Sequence, residues 1–104
     1  MRRPLIVLPA AKEDLIAQAD YFEERGGRVL EDRFLQECAA GFERLSRFPE
    51  SGTIIRYKHL KLEGCRFIRV PEFEKMPIFY NPLPERIEIL RILHGARDIE
   101  EALH

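Results

Sequence analysis

The spacing of apolar side chains changes once along this chain, and that change constrains the fold more than any other feature. From Pro9 to about Phe48 they recur at helical spacing; from residue 54 onward the period is two. In the first block Leu15, Ala19 and Phe22, with Ile16 beside them, form a stripe through about residue 24. Gly26-Gly27 interrupts it. Leu30, Phe34, Cys38, Phe42 and Leu45, with Leu35 adjoining, form a second stripe that should end before Pro49. Pro9 suits the first turn of a helix, and Glu13 and Asp14 are expected in that first turn, where the helix dipole favours acids.

In the second block Ile54-Ile55 and Leu60-Lys61-Leu62 are extended candidates. Strands are expected over Cys65–Val70, Pro77–Asn81 and Arg86–Leu93, with short connections that predict a three-strand antiparallel meander. The apolar run Leu5-Ile6-Val7-Leu8, closed by Pro9, predicts a further strand. Two helices separated by so short a break fold back as an antiparallel hairpin. The expected fold is α+β: an antiparallel sheet, made of the meander and the N-terminal strand, covered on one face by the helical hairpin, as a single domain over residues 1–104. On the last strand Ile87, Ile89, Arg91 and Leu93 share one parity and Glu88, Leu90, Ile92 and His94 the other. Neither parity is polar throughout, so the second sheet face is expected to be covered too, most economically by a partner chain.

Composition narrows the function classes. Hydrophobic residues at 45% supply one core, and no apolar run approaches the ~20 residues of a membrane span. Leu5–Leu8 is shorter than the apolar region of about 7–15 residues in a signal peptide, so the cytoplasm is the expected compartment. Cys38 and Cys65 form no CxxC and are expected as two small buried residues; His59, His94 and His104 lack metal-ligand spacing. No metal and no cofactor is expected. The net charge of −1 argues against bulk nucleic-acid binding, yet it hides an asymmetry. Residues 10–50 carry six basic and ten acidic side chains, and residues 51–97 nine and five. A basic C-terminal half can face a nucleic acid, an acidic protein or the acidic helices of its own fold.

The segment Ile78-Phe79-Tyr80, followed by Ile87 through Ile99 with its run Arg91-x-x-His94-Gly95-x-Arg97-Asp98-Ile99, closely resembles the C-terminal signature of ParE-type toxins in the RelE/ParE superfamily. The upstream pattern agrees: a strand, a Pro-Ala helix start, Tyr21-Phe22, Phe34, then Phe48-Pro49 and Gly52. At Leu8 the chain departs from the family, which often has a capping Ser or Thr there; the change bears on helix stability. The resemblance implies the toxin of a type II toxin–antitoxin system, neutralised by a ParD-like antitoxin in a hetero-oligomer and touching DNA only through that antitoxin. ParE-like members poison DNA gyrase, whereas RelE-like members cleave messenger RNA on the ribosome. The position before Ile78, often Arg in those nucleases, is Pro77, and the C-terminal tyrosine position falls near Leu103. Arg66 and Arg69 stand about where the nuclease lysines would be, and arginine cannot act as a base at neutral pH. Only Arg97 matches well, so gyrase is the favoured target. A RelE-like nuclease and an inactive antitoxin-binding module are the alternatives.

Arg91, His94, Arg97 and Asp98 are the expected target-binding residues, and Arg66, Arg69, Leu90 and Ile92 an antitoxin-binding or basic sheet surface. Each has a plainer reading. Arg91 would form an ion pair with a helix acid such as Glu37 or Asp32, His94 would cap the strand end, Arg97 would be solvated or pair with Asp98, and Arg66 and Arg69 would be solvated. On a regular strand Arg91 and His94 would face opposite sides. Tyr80 and Phe79 are expected in the core.

Overall fold

A computed structural model describes residues 2–55 and 64–94. Its elements are β1 (Leu5–Val7), α1 (Pro9–Arg47), β2 (Thr53–Ile54), β3 (Arg66–Ile68), β4 (Ile78–Pro82) and β5 (Ile87–Ile92). The extended candidate at 60–62 lies outside the described residues.

The five strands form one sheet in the order β1-β5-β4-β3-β2. The meander β3-β4-β5 is antiparallel as expected, and β2 adds to it at Thr53↔Phe67 and Ile54↔Arg66. The sheet is nevertheless mixed rather than antiparallel throughout: β1 runs parallel to β5, with Leu5 opposite Ile87. A hairpin fixes the mutual direction of the strands it joins; β1 and β5 are separated by α1 and three strands, so no local signal sets theirs.

The expected pair of separate helices is also corrected. One helical element runs from Pro9 to Arg47, with a single non-helical residue inside it, Gly27 at φ 73 and ψ −171. Positive φ is cheap for glycine, so the direction of the element can change there without a connecting loop. Phe22 and Phe34 would stand about 18 Å apart on a straight helix; their ring centroids lie 4.9 Å apart, so the kink lays the two limbs together. Phe73 joins both rings, at 4.9 and 5.3 Å. At its start α1 has Leu8 as N-cap and no side-chain cap; the Leu8 carbonyl accepts from Lys12 N at 2.9 Å. There is no acid in the first turn, so Asp14 is not there for the dipole.

Phe34, Cys38, Leu45, Ile68, Ile78, Tyr80, Ile87, Ile89 and Ile92 are buried between α1 and the sheet. A fully buried Ile or Phe contributes about 1.5–3 kcal/mol, so this layer holds the fold. Ile16, expected at its edge, is 58% exposed. A second cluster, Ile55, Cys65, Phe79 and Leu93 with Phe67 and Leu90 against it, lies on the other parity of β3 and β4. Its members are already buried, Phe79 at 1% and Leu93 at 7% exposure, so among the described residues the apolar second face expected from β5 is not left uncovered.

The alternation of β5 is broken. Tyr80 pairs with Ile89 and Phe79 with Arg91, which leaves Leu90 as the extra residue of a bulge. Ile87 and Ile89 face α1, Leu90 turns to the second cluster, and Ile92 returns to the α1 side. Leu90 and Ile92 therefore do not share a surface, and Ile92 is fully buried.

Candidate functional site

The bulge prepares the end of β5, from which the sequence-predicted target-binding run departs. β1 covers the outer edge of β5 only as far as Val7↔Ile89, and beyond it that edge would be bare. Asp14 of α1 fills the gap. Its carboxylate accepts from Arg91 Nε at 2.7 Å, from Arg91 Nη2 at 2.9 Å and from the Ile92 main-chain N–H at 3.0 Å. This two-pronged guanidinium–carboxylate pair is the strongest geometry open to the two groups. Its hydrogen bonds to Asp14 hold Arg91 more firmly protonated than an ordinary arginine. The partner of Arg91 is thus Asp14, not Glu37 or Asp32. Asp14 was missed by the sequence reading although a signal was available. It sits three residues after buried Ala11 and five before buried Ala19, on the covered side of α1. A carboxylate there needs a partner.

His94 follows at once, exposed, where the chain bends out of the sheet. Among the described residues its ring has no hydrogen-bond partner. It lies at a cleft of about 390 Å³ floored by Phe22, Leu30, Phe73 and Met76. Arg91 reaches Asp14 and His94 borders a cleft lined by Tyr21, Phe22 and Leu30, so both side chains lie alongside α1. Arg97 and Asp98 lie outside the described residues.

Arg66 of β3 and Arg69, just beyond its end, lie by the C-terminal end of α1. Arg66 Nη1 donates to the carbonyls of Glu50 and Gly52 at 3.0 and 2.9 Å, fastening the α1–β2 turn. Arg69 donates to the Glu74 carbonyl and stands 5.5 Å from the Phe67 ring centroid. Tyr80 closes the same turn from inside: its hydroxyl donates to Pro49 O at 2.8 Å and accepts from Gly52 N at 2.9 Å. Burial raises the Tyr80 phenol above its usual range, against the opposing pull of the Gly52 hydrogen bond. A Cβ on Gly52 would come within 2.5 Å of that hydroxyl, so only glycine fits. The Phe48-Pro49 and Gly52 pattern is therefore the receptacle of the Tyr80 hydroxyl.

Among the described residues no three His, Cys, Asp or Glu side chains converge as metal ligands, and no helix is long and apolar enough to cross a membrane. Both cysteines are free and buried; burial pushes the Cys38 thiol up to about 12 and the Cys65 thiol upward, which keeps both protonated and unreactive near neutrality.

Comparison with known proteins adds three findings. The profile of the ParE toxin of the type II toxin–antitoxin system parDE matches residues 5–99. No curated protein matches the sequence significantly. The solved structure of the chromosomal ParDE toxin–antitoxin system from P. aeruginosa shares the fold, with a TM-score of 0.74 and 18% identity over 91% of this chain and 98% of that one.

Proposed function

The chain belongs to the ParE toxin family of type II toxin–antitoxin systems, and from that premise we propose that it poisons DNA gyrase by protein contact and is neutralised by a ParD-like antitoxin. The observation that supports contact over RNA cleavage is the engagement of the polar groups on the sheet. Cleavage of a phosphodiester needs a base, an acid and a charge-neutralising group converging on one phosphate. Here the Tyr80 hydroxyl is held by Pro49 and Gly52, Arg66 by two carbonyls and Arg91 by Asp14. Pro77, at the position of a nuclease arginine, is buried.

A contact with gyrase needs only a shaped, charged surface. In this reading His94, Arg97 and Asp98 form it, on the run that leaves β5, and Arg91 anchors its root. Arg66, Arg69 and the partly covered Leu90 face the antitoxin; Ile92 serves the core beneath.

The test is a gyrase supercoiling assay beside mapping of message on translating ribosomes. The expected result is inhibited supercoiling and intact message. Codon-specific cuts with unimpaired gyrase would overturn the target. Arg97→Ala should reduce toxicity while changing stability by less than ~0.5 kcal/mol; full toxicity in that variant would remove Arg97 from the site.

A further inference from the structure

We propose that Asp14 is a positioning residue for toxicity: it fixes where the target-binding run begins by standing in for a strand neighbour at the end of β5. That the run then contacts gyrase rests on the function proposed above; that Asp14 places it does not.

The direction in which a strand leaves a sheet is set by the last ties on its two edges. On the β4 side of β5 the last tie is Leu93 N–H to Pro77 O, at 3.3 Å. On the outer side β1 supplies its last one from Leu8 N–H to Ile89 O, at 3.0 Å. It cannot supply another. The Leu8 carbonyl accepts from Lys12 N, and Pro9 has no N–H to give. With β1 alone, the outer edge of β5 at Ile92 would stand bare while the inner edge was still held.

Asp14 is the substitute. From the second turn of α1 its Oδ2 accepts from Ile92 N–H at 3.0 Å and from Arg91 Nε at 2.7 Å, and its Oδ1 from Arg91 Nη2 at 2.9 Å. One carboxylate thus holds the main chain and a side chain of β5 together, and it cannot swing away without breaking all of these bonds. Ile92 is tied on one edge and Leu93 on the other, and His94 follows at once, exposed beside Tyr21 and Leu30. A segment already held in its binding direction loses less freedom when it meets a partner. Arg91, with Nε and Nη2 engaged inside the chain, serves the target through Asp14 rather than by touching it.

The test compares gyrase inhibition by the full chain with that by Asp14→Asn, Arg91→Gln, the double variant and Tyr80→Phe. Asp14→Ala is the obvious variant but risks the fold; Asp14→Asn keeps an oxygen acceptor and removes the charge. Tyr80→Phe loosens the opposite end of α1 and controls for lost stability alone. Circular dichroism and thermal melts confine the comparison to temperatures at which every variant is folded. The account expects Asp14→Asn and Arg91→Gln each to inhibit about tenfold less, the double variant to lose no more than either, and Tyr80→Phe to inhibit as the parent does. Full inhibition by Asp14→Asn overturns the proposal. So does an equal loss in Tyr80→Phe, which would assign the effect to stability. Additive losses in the double variant would do the same, because Arg91 would then touch the target itself. Growth arrest in cells, at matched abundance of each variant, is the second readout. A parent chain that arrests growth and leaves gyrase unimpaired contradicts the gyrase reading alone, and the same comparison is then decided on growth arrest. A parent chain that does neither overturns both.

Discussion

Arg91 and Arg66 both fasten a bend of the chain, at opposite ends of α1, and they do it with different partners. Arg91 is gripped by the Asp14 carboxylate at the end of β5, where side-chain exposure is 26% for the arginine and 14% for the acid. Arg66 holds the α1–β2 turn through carbonyls, and Arg69 and Arg44 beside it meet no carboxylate among the described residues. At the first end the charge is neutralised internally and serves the architecture. At the second it stays outward and can be neutralised by something else. A basic residue on a sheet thus shows its role less by its position than by whether its partner is charged.

The largest effect should come from breaking the neutralised end. Asp14→Ala removes the acceptor of Arg91 and of the Ile92 N–H together, and should cost about 3 kcal/mol in urea unfolding. Asp14→Asn, which keeps an acceptor for Ile92, should cost less. Equal losses would mean that the main-chain bond adds nothing beyond the ion pair. At the turn the fold rests on fit and neutral hydrogen bonds, so smaller losses are expected. Gly52→Ala forces a methyl against the Tyr80 hydroxyl and should cost about 2 kcal/mol. Tyr80→Phe leaves Pro49 O and Gly52 N without their partner and should cost about 1–2 kcal/mol. Because the two variants disturb one contact, the double variant should lose less than the sum; strict additivity would show that the latch is not a unit.

Away from both ends, Cys38 gives the smallest effect. Its thiol ionises near the usual 9.0 in the unfolded chain and is pushed up to about 12 in the fold. A raised pKa contributes stability that is complete below the lower value and is lost as pH rises, because the unfolded chain releases the proton first. Near pH 10 the loss from this group should be about 1 kcal/mol. Cys38→Ala should therefore show a shallower alkaline decline than the parent chain, whatever its stability at neutral pH.

How much of this could be read from the sequence follows from the range of each determinant. Pro9, the helical stripes and the period-two runs act over a few residues, and they placed β1, α1 and the meander. The bulge at Leu90 leaves no local mark in Ile-Leu-Arg-Ile. Its trace was the apolar character of both parities of β5, which pointed instead to a missing cover. The parallel pairing of β1 and the joining of Asp14 to Arg91 depend on contacts more than seventy residues apart in the chain. Gly26-Gly27 marked the interruption but pointed to a hairpin of two helices, whereas one helical element continues across a single left-handed glycine. For the candidate site, Arg91 and Arg66 fall on the strands expected for them, whereas Arg69 and His94 lie just beyond the ends of β3 and β5. Arg97 and Asp98 rest on the family resemblance, and Asp14 required the fold.

The contrast between the two ends is tested most directly by unfolding Arg91→Ala and Arg69→Ala side by side in urea. Loss of Arg91 strands the Asp14 carboxylate in a partly covered site, so its midpoint should fall by an amount equivalent to about 3 kcal/mol. Loss of Arg69, exposed and held only by a carbonyl, should change stability by less than about 0.5 kcal/mol. Equal destabilisation by the two variants, or a larger one from Arg69, would contradict the account.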